Sequence, residues 1–389
     1  MQKKTSKGPS EMQHIAIYLP SLQGGGAERV MAVLANGFAE RGHRIDLVLA
    51  NAEGPYIRDI SDAVRIVDLG NRRVLTSLGP LARYLRREKP DAILSALNHA
   101  NIVAILAHML ARARCRLLVS ERNSVSRMGA NGTERIIRSL MRWLYPRADR
   151  IICVSRGIQD ELVKDLGLPK HKLCTIYNPL VVDGIRRQSA PAPDHPWFGA
   201  GKPPVIIAVG RLTKQKDYPM LLRAFAHLRT SRDAKLVILG EGKDRSSLSE
   251  SASRLGLLDD VDFVGYQENP FPWMAAAQLY VMSSAWEGLP GALLQAMACG
   301  TPVVSTDCPS GPSEILEDGR WGRLVDVGDD IGLARAMAAT LDDRAPPQVR
   351  DRADAFRVEY ALDNYIEAIG ARPVNMASSA KQFRGNETA

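Results

Sequence analysis

The sequence predicts an α/β protein built from two doubly wound, Rossmann-like halves. Three observations carry this. Short apolar runs alternate with amphipathic stretches over most of the chain, the pattern of parallel strands joined by crossover helices. The alternation breaks once, at the proline-rich and aperiodic SAPAPDHPWFGAGKPP of residues 189–204, which reads as a linker or hinge. The length of 389 residues is long for one domain and comfortable for two.

Taken in order, His14-Ile-Ala-Ile-Tyr-Leu reads as a buried strand. Residues 27–41 read as a helix with Val30, Leu34 and Phe38 on one face, and 45–49 as the next strand. Further strands are expected at 64–67, 92–94, 117–119 and 150–154. After the linker come strands at 205–209, 236–239, 261–264 and 279–282, and at Val303 and Val304. Helices are expected at 218–228, 293–297 and 331–341, with a last helical stretch running to about residue 369. The expected organisation is a first domain over 1–185, a linker over 186–204 and a second domain over 205–345. A C-terminal helical segment over 346–372 and a polar, disordered tail over 373–389 complete it. Two such halves would face each other across a cleft between the carboxyl ends of their sheets, where open α/β sheets bind ligands. The turns that follow strands therefore hold the functional reading.

Composition narrows the class. A hydrophobic share of 45% against 24% charged residues suits a globular core. No apolar stretch approaches the roughly 18 residues of a membrane span, and the first ten residues are polar and basic without a signal-type apolar region. A cytoplasmic protein is expected. The five cysteines form no CxxC pair, which argues against a disulfide framework or a zinc site. Residues 1–180 carry 28 Lys/Arg and 16 Asp/Glu, a surplus of +12, whereas the remainder carries −4. An anionic surface or partner for the first half would explain the asymmetry, such as phospholipid headgroups or a lipid diphosphate. A solvated basic surface would explain it equally. Nucleic acid fits less well, because aromatics are 6% of the chain and no interleaved basic-aromatic strand occurs.

Three turns carry chemistry. Ser21-Leu-Gln-Gly-Gly25-Gly26-Ala-Glu28 follows a strand and opens a helix, where glycine and free amides can approach an anion. Its spacing is neither GxGxxG nor a Walker loop, and alone it reads first as a tight turn. Gly210-Arg211-Leu-Thr-Lys-Gln-Lys216 places two cations just past a strand, suited to clasping a diphosphate or to facing solvent. In Ser283-Ser-Ala-Trp-Glu287-Gly-Leu289-Pro290-Gly291-Ala292-Leu-Leu-Gln295 a strand ends and a Gly-Pro turn enters a helix whose first amides can bind phosphate oxygens. Glu287 is there either to accept hydrogen bonds from sugar hydroxyls or to act as a buried cap.

Together these runs resemble the retaining glycosyltransferases of family 4, which have the two-domain GT-B fold. The likeness spans about residues 14–340 and includes Tyr177-Asn178-Pro179, Gly240-Glu241-Gly242 and Ser310-Gly-Pro-Ser-Glu314-Ile315. It implies that Arg211 and Lys216 neutralise the leaving diphosphate. It implies that Glu287 is the first carboxylate of the E-x7-E motif, facing the reaction centre and the donor sugar. Leu289, Pro290, Gly291 and Ala292 would present the turn and amides that hold donor sugar and phosphate. Gly265 and Tyr266, with Phe263 and Val264, would frame the nucleotide base, and Gly25 and Gly26 would face the diphosphate across the cleft. Two positions depart from the pattern. Gln295 stands where the second Glu holds the ribose, which implies weaker nucleotide binding. Arg122, in Val119-Ser-Glu121-Arg122-Asn123, stands where His often contacts the donor sugar. Arg122 would contact sugar or phosphate instead, or pair with Glu121.

The resemblance implies a nucleotide-sugar donor, UDP by family habit, and retention through front-face attack with the leaving phosphate taking the acceptor proton. Neither cofactor nor metal is expected, because an Arg-Lys pair with helix amides can supply the stabilisation of the departing charge that a cation would give. An acceptor that is a lipid-linked or polysaccharide precursor should lie against the first half, with Asn98, His99 and Asn101 as candidate contacts. Residues 133–145 read as an amphipathic helix, with Ile136, Ile137, Leu140, Met141 and Leu144 on one face and Arg135, Arg138 and Arg142 on the other. Such a helix packs on a core or lies on an anionic membrane, here the inner face of the plasma membrane. A nucleotide-sugar epimerase or hydrolase on the same fold, and a silent sugar-nucleotide-binding protein, are the competing readings.

Overall fold

A computed structural model describes residues 12–23, 25–124 and 132–370. The tail expected over 373–389 lies outside the described residues. The strands are β1 (His14–Leu19), β2 (Arg44–Leu49), β3 (Val64–Asp68), β4 (Ala92–Ala96), β5 (Arg116–Glu121), β6 (Arg150–Cys153) and β7 (Leu173–Thr175), followed by β8 (Val205–Val209), β9 (Lys235–Leu239), β10 (Val261–Gly265), β11 (Leu279–Met282), β12 (Val303–Thr306) and β13 (Arg323–Val325). They form a seven-stranded sheet ordered β3-β2-β1-β4-β5-β6-β7 and a six-stranded sheet ordered β10-β9-β8-β11-β12-β13. All five pairs of the second sheet run parallel, as do β1–β2, β1–β4, β2–β3 and β6–β7 of the first. Both orders reverse direction once, between β1 and β4 and between β8 and β11. These are the switch points where diverging crossovers leave a crevice at the strands' carboxyl ends.

The helices are α1 (Gly26–Glu40), α2 (Leu78–Glu88), α3 (Asn98–Ala111), α4 (Gly132–Leu144), α5 (Arg156–Leu166), α6 (Val182–Arg187), α7 (Tyr218–Arg229), α8 (Arg245–Arg254), α9 (Phe271–Ala276), α10 (Gly291–Cys299), α11 (Pro312–Leu316), α12 (Asp330–Leu341), α13 (Val349–Asp354) and α14 (Val358–Ile369). Among the described residues no helix is long and apolar enough to cross a membrane.

The chain divides into two compact units, one of Met1–Val119, Arg147–Arg150 and Leu362–Ala389, the other of Ser120–Pro146 and Ile151–Ala361. The expected organisation instead kept 120–185 with the first domain and set 346–372 apart as a C-terminal segment. In the first unit, Ile15, Ile17, Leu47, Ile93 and Leu94 are fully buried, consistent with strands covered on both faces. The end of α14 packs in this unit. Tyr365 meets Phe38 edge-on at 6.3 Å, Leu362 fills the space over Gly37, and Arg116 donates to the Ile369 carbonyl at 2.9 Å. In the second unit Leu221, Leu222 and Phe225 of α7 and Leu333 and Met337 of α12 cover β8, β9 and β11.

The proline-rich segment 188–204 contains neither helix nor strand, yet it is packed. His195 lies at the centre of an aromatic group with Trp197, Phe198 and Trp273, at centroid distances of 5.2, 5.8 and 5.5 Å. Its Nε2 meets Asp262 at 3.0 Å, and the Lys235 ammonium sits over the Trp197 ring. Each ring contact of this kind adds about 1 kcal/mol beyond burial.

Inside the first unit, Asp46 of β2 is fully buried and ringed by donors. Arg65 reaches it through Nε at 2.9 Å and Nη2 at 2.5 Å, Tyr84 Oη at 2.5 Å and His14 Nε2 at 2.8 Å. Burial alone would raise the carboxyl pKa, but hydrogen bonds from His14, Arg65 and Tyr84 outweigh it and hold the group well below the usual carboxylate range. A depressed folded pKa contributes stability in full above the unfolded value of about 4 and loses it as pH falls towards the folded value. Asp46→Asn should therefore flatten the fall in Tm below about pH 4. At pH 7 it should cost about 3 kcal/mol, the lower end for breaking a buried pair, since Arg65 is half exposed. Thermal melts from pH 3 to 7 measure both.

Candidate active site

The switch point of the second sheet lies between β8 and β11, so the loops leaving those strands converge there. After β8 the chain passes Gly210 and Arg211 into a 3-10 turn at Lys214–Lys216, and α7 then starts at Tyr218, with Asp217 as its N-cap, whose side chain accepts from the Met220 amide. This loop is held backbone to backbone. The Gly210 amide donates to Leu239 and the Leu212 amide to Glu241, both at 2.9 Å. Gly240 adopts φ +140, and a Cβ there would collide with the Gly210 carbonyl, so only glycine fits. The Gly240-Glu241-Gly242 motif is thus the wall that seats the cationic loop. The Gly240 amide continues the stack to the Gly265 carbonyl at 2.8 Å. Gly265 is buried, while Tyr266 beside it is exposed.

After β11 the chain reaches Glu287, which is buried. A carboxylate out of water needs partners, and three side chains supply them. Lys216 Nζ lies 2.5 Å from Oε1, the Ser284 hydroxyl donates to Oε1 at 2.7 Å, and Gln215 Nε2 lies 3.4 Å from Oε2. The two loops are also tied through the main chain, by Ala285 N to Gln215 O at 2.8 Å and Ser283 Oγ to Lys216 O at 2.7 Å. Arg211 is exposed and among the described residues forms no ion pair. Burial, and then the Glu287 charge, push the nearby Cys308 thiol up to about 12, which keeps it protonated and unsuited to act as a nucleophile.

Past Glu287 the turn runs through buried Leu289 and Pro290 into α10. Pro290 as N-cap offers no side-chain oxygen, and the first turn holds no acid. The leading amides of Gly291 and Ala292 thus point out of a helix end without a cap, the arrangement that attracts phosphate. Gln295 is half-buried about one turn further along.

Arg122 follows β5 and is buried. Its Nη1 lies 3.3 Å from Ser120 Oγ and its Nη2 bonds Asn178 Oδ1. The expected alternative of an ion pair with Glu121 is corrected. The Glu121 carboxylate takes Tyr145 Oη at 2.8 Å and the backbone amide of Arg122 at 3.1 Å. Burial raises its pKa, and these bonds oppose the rise. A further carboxylate was named in the sequence only as part of a matching motif, with no role assigned. Glu314 accepts from the Arg156 and Gly157 amides at 2.8 and 2.9 Å and from Tyr177 Oη at 3.1 Å, so it caps α5 and explains two of the matching motifs as scaffold.

The first unit holds the remaining candidates, at its own switch point. Gly25 is the N-cap of α1, and Gly26 is its exposed first residue. The Glu28 carboxylate curls back over Gly25, so this helix end carries an acid where α10 carries none. Asn98 and His99 open α3 after Leu97, a non-glycine residue at φ +77. His99 is exposed, Asn98 half-buried and Asn101 fully buried.

Two family models match the chain, Glycosyltransferase Family 4 over residues 24–183 and Glycosyl transferases group 1 over 203–343. The chain is 30% identical over 374 residues to the N-acetylgalactosamine-N,N'-diacetylbacillosaminyl-diphospho-undecaprenol 4-alpha-N-acetylgalactosaminyltransferase of Campylobacter jejuni, covering 90% of this chain and 98% of that protein. It is 31% identical over 362 residues to the lipopolysaccharide core biosynthesis glycosyltransferase LpsE of Rhizobium meliloti, with 90% and 97% covered. Among solved structures, Anabaena HepE in complex with UDP-glucose aligns with a TM-score of 0.76 at 21% identity, over 92% of this chain and 99% of that one, a likeness of fold.

Removing Lys216 strands Glu287 in a buried position. Lys216→Met should cost about 3–5 kcal/mol of stability. Adding Glu287→Gln should return a large part of the loss, because the uncompensated charge is gone. Denaturant unfolding of the two single variants and the double variant measures the coupling.

Proposed function

This chain belongs to the family 4 glycosyltransferases of GT-B fold, and we propose that it moves a sugar from UDP to a hydroxyl of a lipid-linked or polysaccharide glycan precursor, with retention and without a metal ion. The observation that carries the reading is the Lys216–Glu287 pair at the β8–β11 switch point, beside the uncapped start of α10. Departure of a nucleotide diphosphate builds negative charge on the phosphate while the anomeric carbon becomes positive. Lys216, Arg211 and the amides of Gly291 and Ala292 provide the positive potential for the first. Glu287 faces the second and can accept hydrogen bonds from sugar hydroxyls. Held by Lys216 and Ser284, the carboxylate is fixed before the donor arrives, so little reorganisation is needed during reaction.

The acceptor class follows the relatives. The Campylobacter protein is named for a diphospho-undecaprenol-linked saccharide and the Rhizobium protein for lipopolysaccharide core. Such acceptors sit at membranes, and α4 suits that location. Its Met141 and Leu144 are buried, yet Ile136 and Trp143 are 62% and 74% exposed, with Leu140 between them. Exposed Arg135 and Arg142 flank this stripe. Apolar residues with Trp beside arginines are what an interfacial helix presents to anionic lipid, and each arginine near such a surface is worth about 1 kcal/mol.

A thermal-shift panel of UDP-, GDP- and ADP-sugars should show stabilisation by a UDP-sugar, roughly 2.7 kcal/mol at about 100 times its Kd. Silence across the panel would sink the proposal. Arg211→Ala should lower kcat/KM by about 100-fold or more with the melting point unchanged, and turnover should persist in EDTA. Flotation should recover the protein with phosphatidylglycerol vesicles and not with phosphatidylcholine, and Trp143→Ser with Arg142→Ser should abolish it. Equal recovery from both vesicle types would remove the membrane part of the reading.

A further inference from the structure

The turn at 287–291 has to hold its amides and Glu287 in one geometry, yet it is a loop of glycine, leucine and proline. Glu287 is anchored by Lys216 and Ser284. The residues after it are anchored from another direction. The Arg122 carbonyl packs so closely on Gly288 that a Cβ there would collide with it. The Arg122 guanidinium bonds Asn178 Oδ1, and Asn178 Nδ2 reaches the Leu289 carbonyl at 3.5 Å. Asn178 is therefore oriented at its oxygen by a buried cation and presents its amide hydrogens to the turn. Charge-assisted bonds of this kind are stronger than neutral ones, so the arginine fixes which way the amide points.

We propose that Arg122 is a positioning residue, which acts with Asn178 as a brace setting the register of the Leu289–Pro290–Gly291 turn. It does so without contacting the donor. The inference deepens the reading of this site as a donor site and rests on that reading for its effect on catalysis. The brace itself is a property of the protein without substrate. Its logic explains why a planar, forked cation stands at this position: Lys would supply charge but not the fixed geometry across Ser120 and Asn178.

Two measurements test it. Hydrogen–deuterium exchange of the peptide covering 287–292, in the protein without substrate, should speed up at least several-fold in both Asn178→Ala and Arg122→Met. Unchanged exchange in either variant overturns the brace whatever the enzyme's substrate. Arg122→Gln keeps a donor towards Asn178 and serves if the methionine variant does not fold; its exchange should be intermediate. The second measurement is the Kd of whichever nucleotide-sugar stabilises the wild type. Each single variant should weaken binding about 10-fold, and the double variant little more, because both cut one connection. The slope of affinity against salt should stay as in the wild type. A loss confined to the Arg122 variants, or a shallower salt slope in them, would make Arg122 a direct phosphate ligand and overturn the proposal. Failure of every nucleotide-sugar to bind the wild type would strike the donor reading, while the exchange result would still decide the brace.

Discussion

A carboxylate taken out of water must be compensated, and much of the site follows from how Glu287 is compensated. Its position just past β11 brings it to the crevice that the strand order opens beside β8. Lys216 can answer it only because the loop after β8 is pressed into place by Gly240, whose lack of a side chain lets two carbonyl-bearing turns touch. Ser284 and Gln215 then fill remaining hydrogen-bonding capacity. A buried ion pair is a weak source of stability when set against an apolar replacement. What the pair provides here is a carboxylate and an ammonium held in fixed positions at the switch point.

The two switch points make an instructive pair. Both sheets end in helices that begin with glycine, α1 at Gly26 and α10 at Gly291. At the first, Glu28 returns over the helix end and satisfies its positive potential internally. At the second, no acid is supplied and the potential is left for a ligand. Two helices that both start on glycine thus differ in the electrostatics of their first turn, and one acidic residue makes the difference.

Much of this was legible in the residues. Parallel strands buried on both faces read as apolar runs, so the order of long elements followed from periodicity alone. The turn at Glu287 and the cationic loop drew attention because they follow strands. What escaped the reading was short or distant. β7 and β13 are three residues each, too brief to show a period. Glu314 looked like part of a family signature, and nothing local showed that its carboxylate would cap a helix starting at Arg156. The bond from Arg122 to Asn178 was not foreseen, because the two lie 56 residues apart and nothing local pairs them. The proline-rich segment read as a hinge because composition reports an absence of regular structure and is silent about the ring packing that His195 organises.

The packing of α14 has a consequence for the order of assembly. Phe38 and Gly37, on α1, are covered by Tyr365 and Leu362 of α14. During synthesis from the amino end, the surface of α1 that these residues cover must wait until Leu362 and Tyr365 have emerged. The first unit therefore closes only after residues 151–361 of the second have been made. Until then it presents an apolar face to the chaperones and proteases around the ribosome.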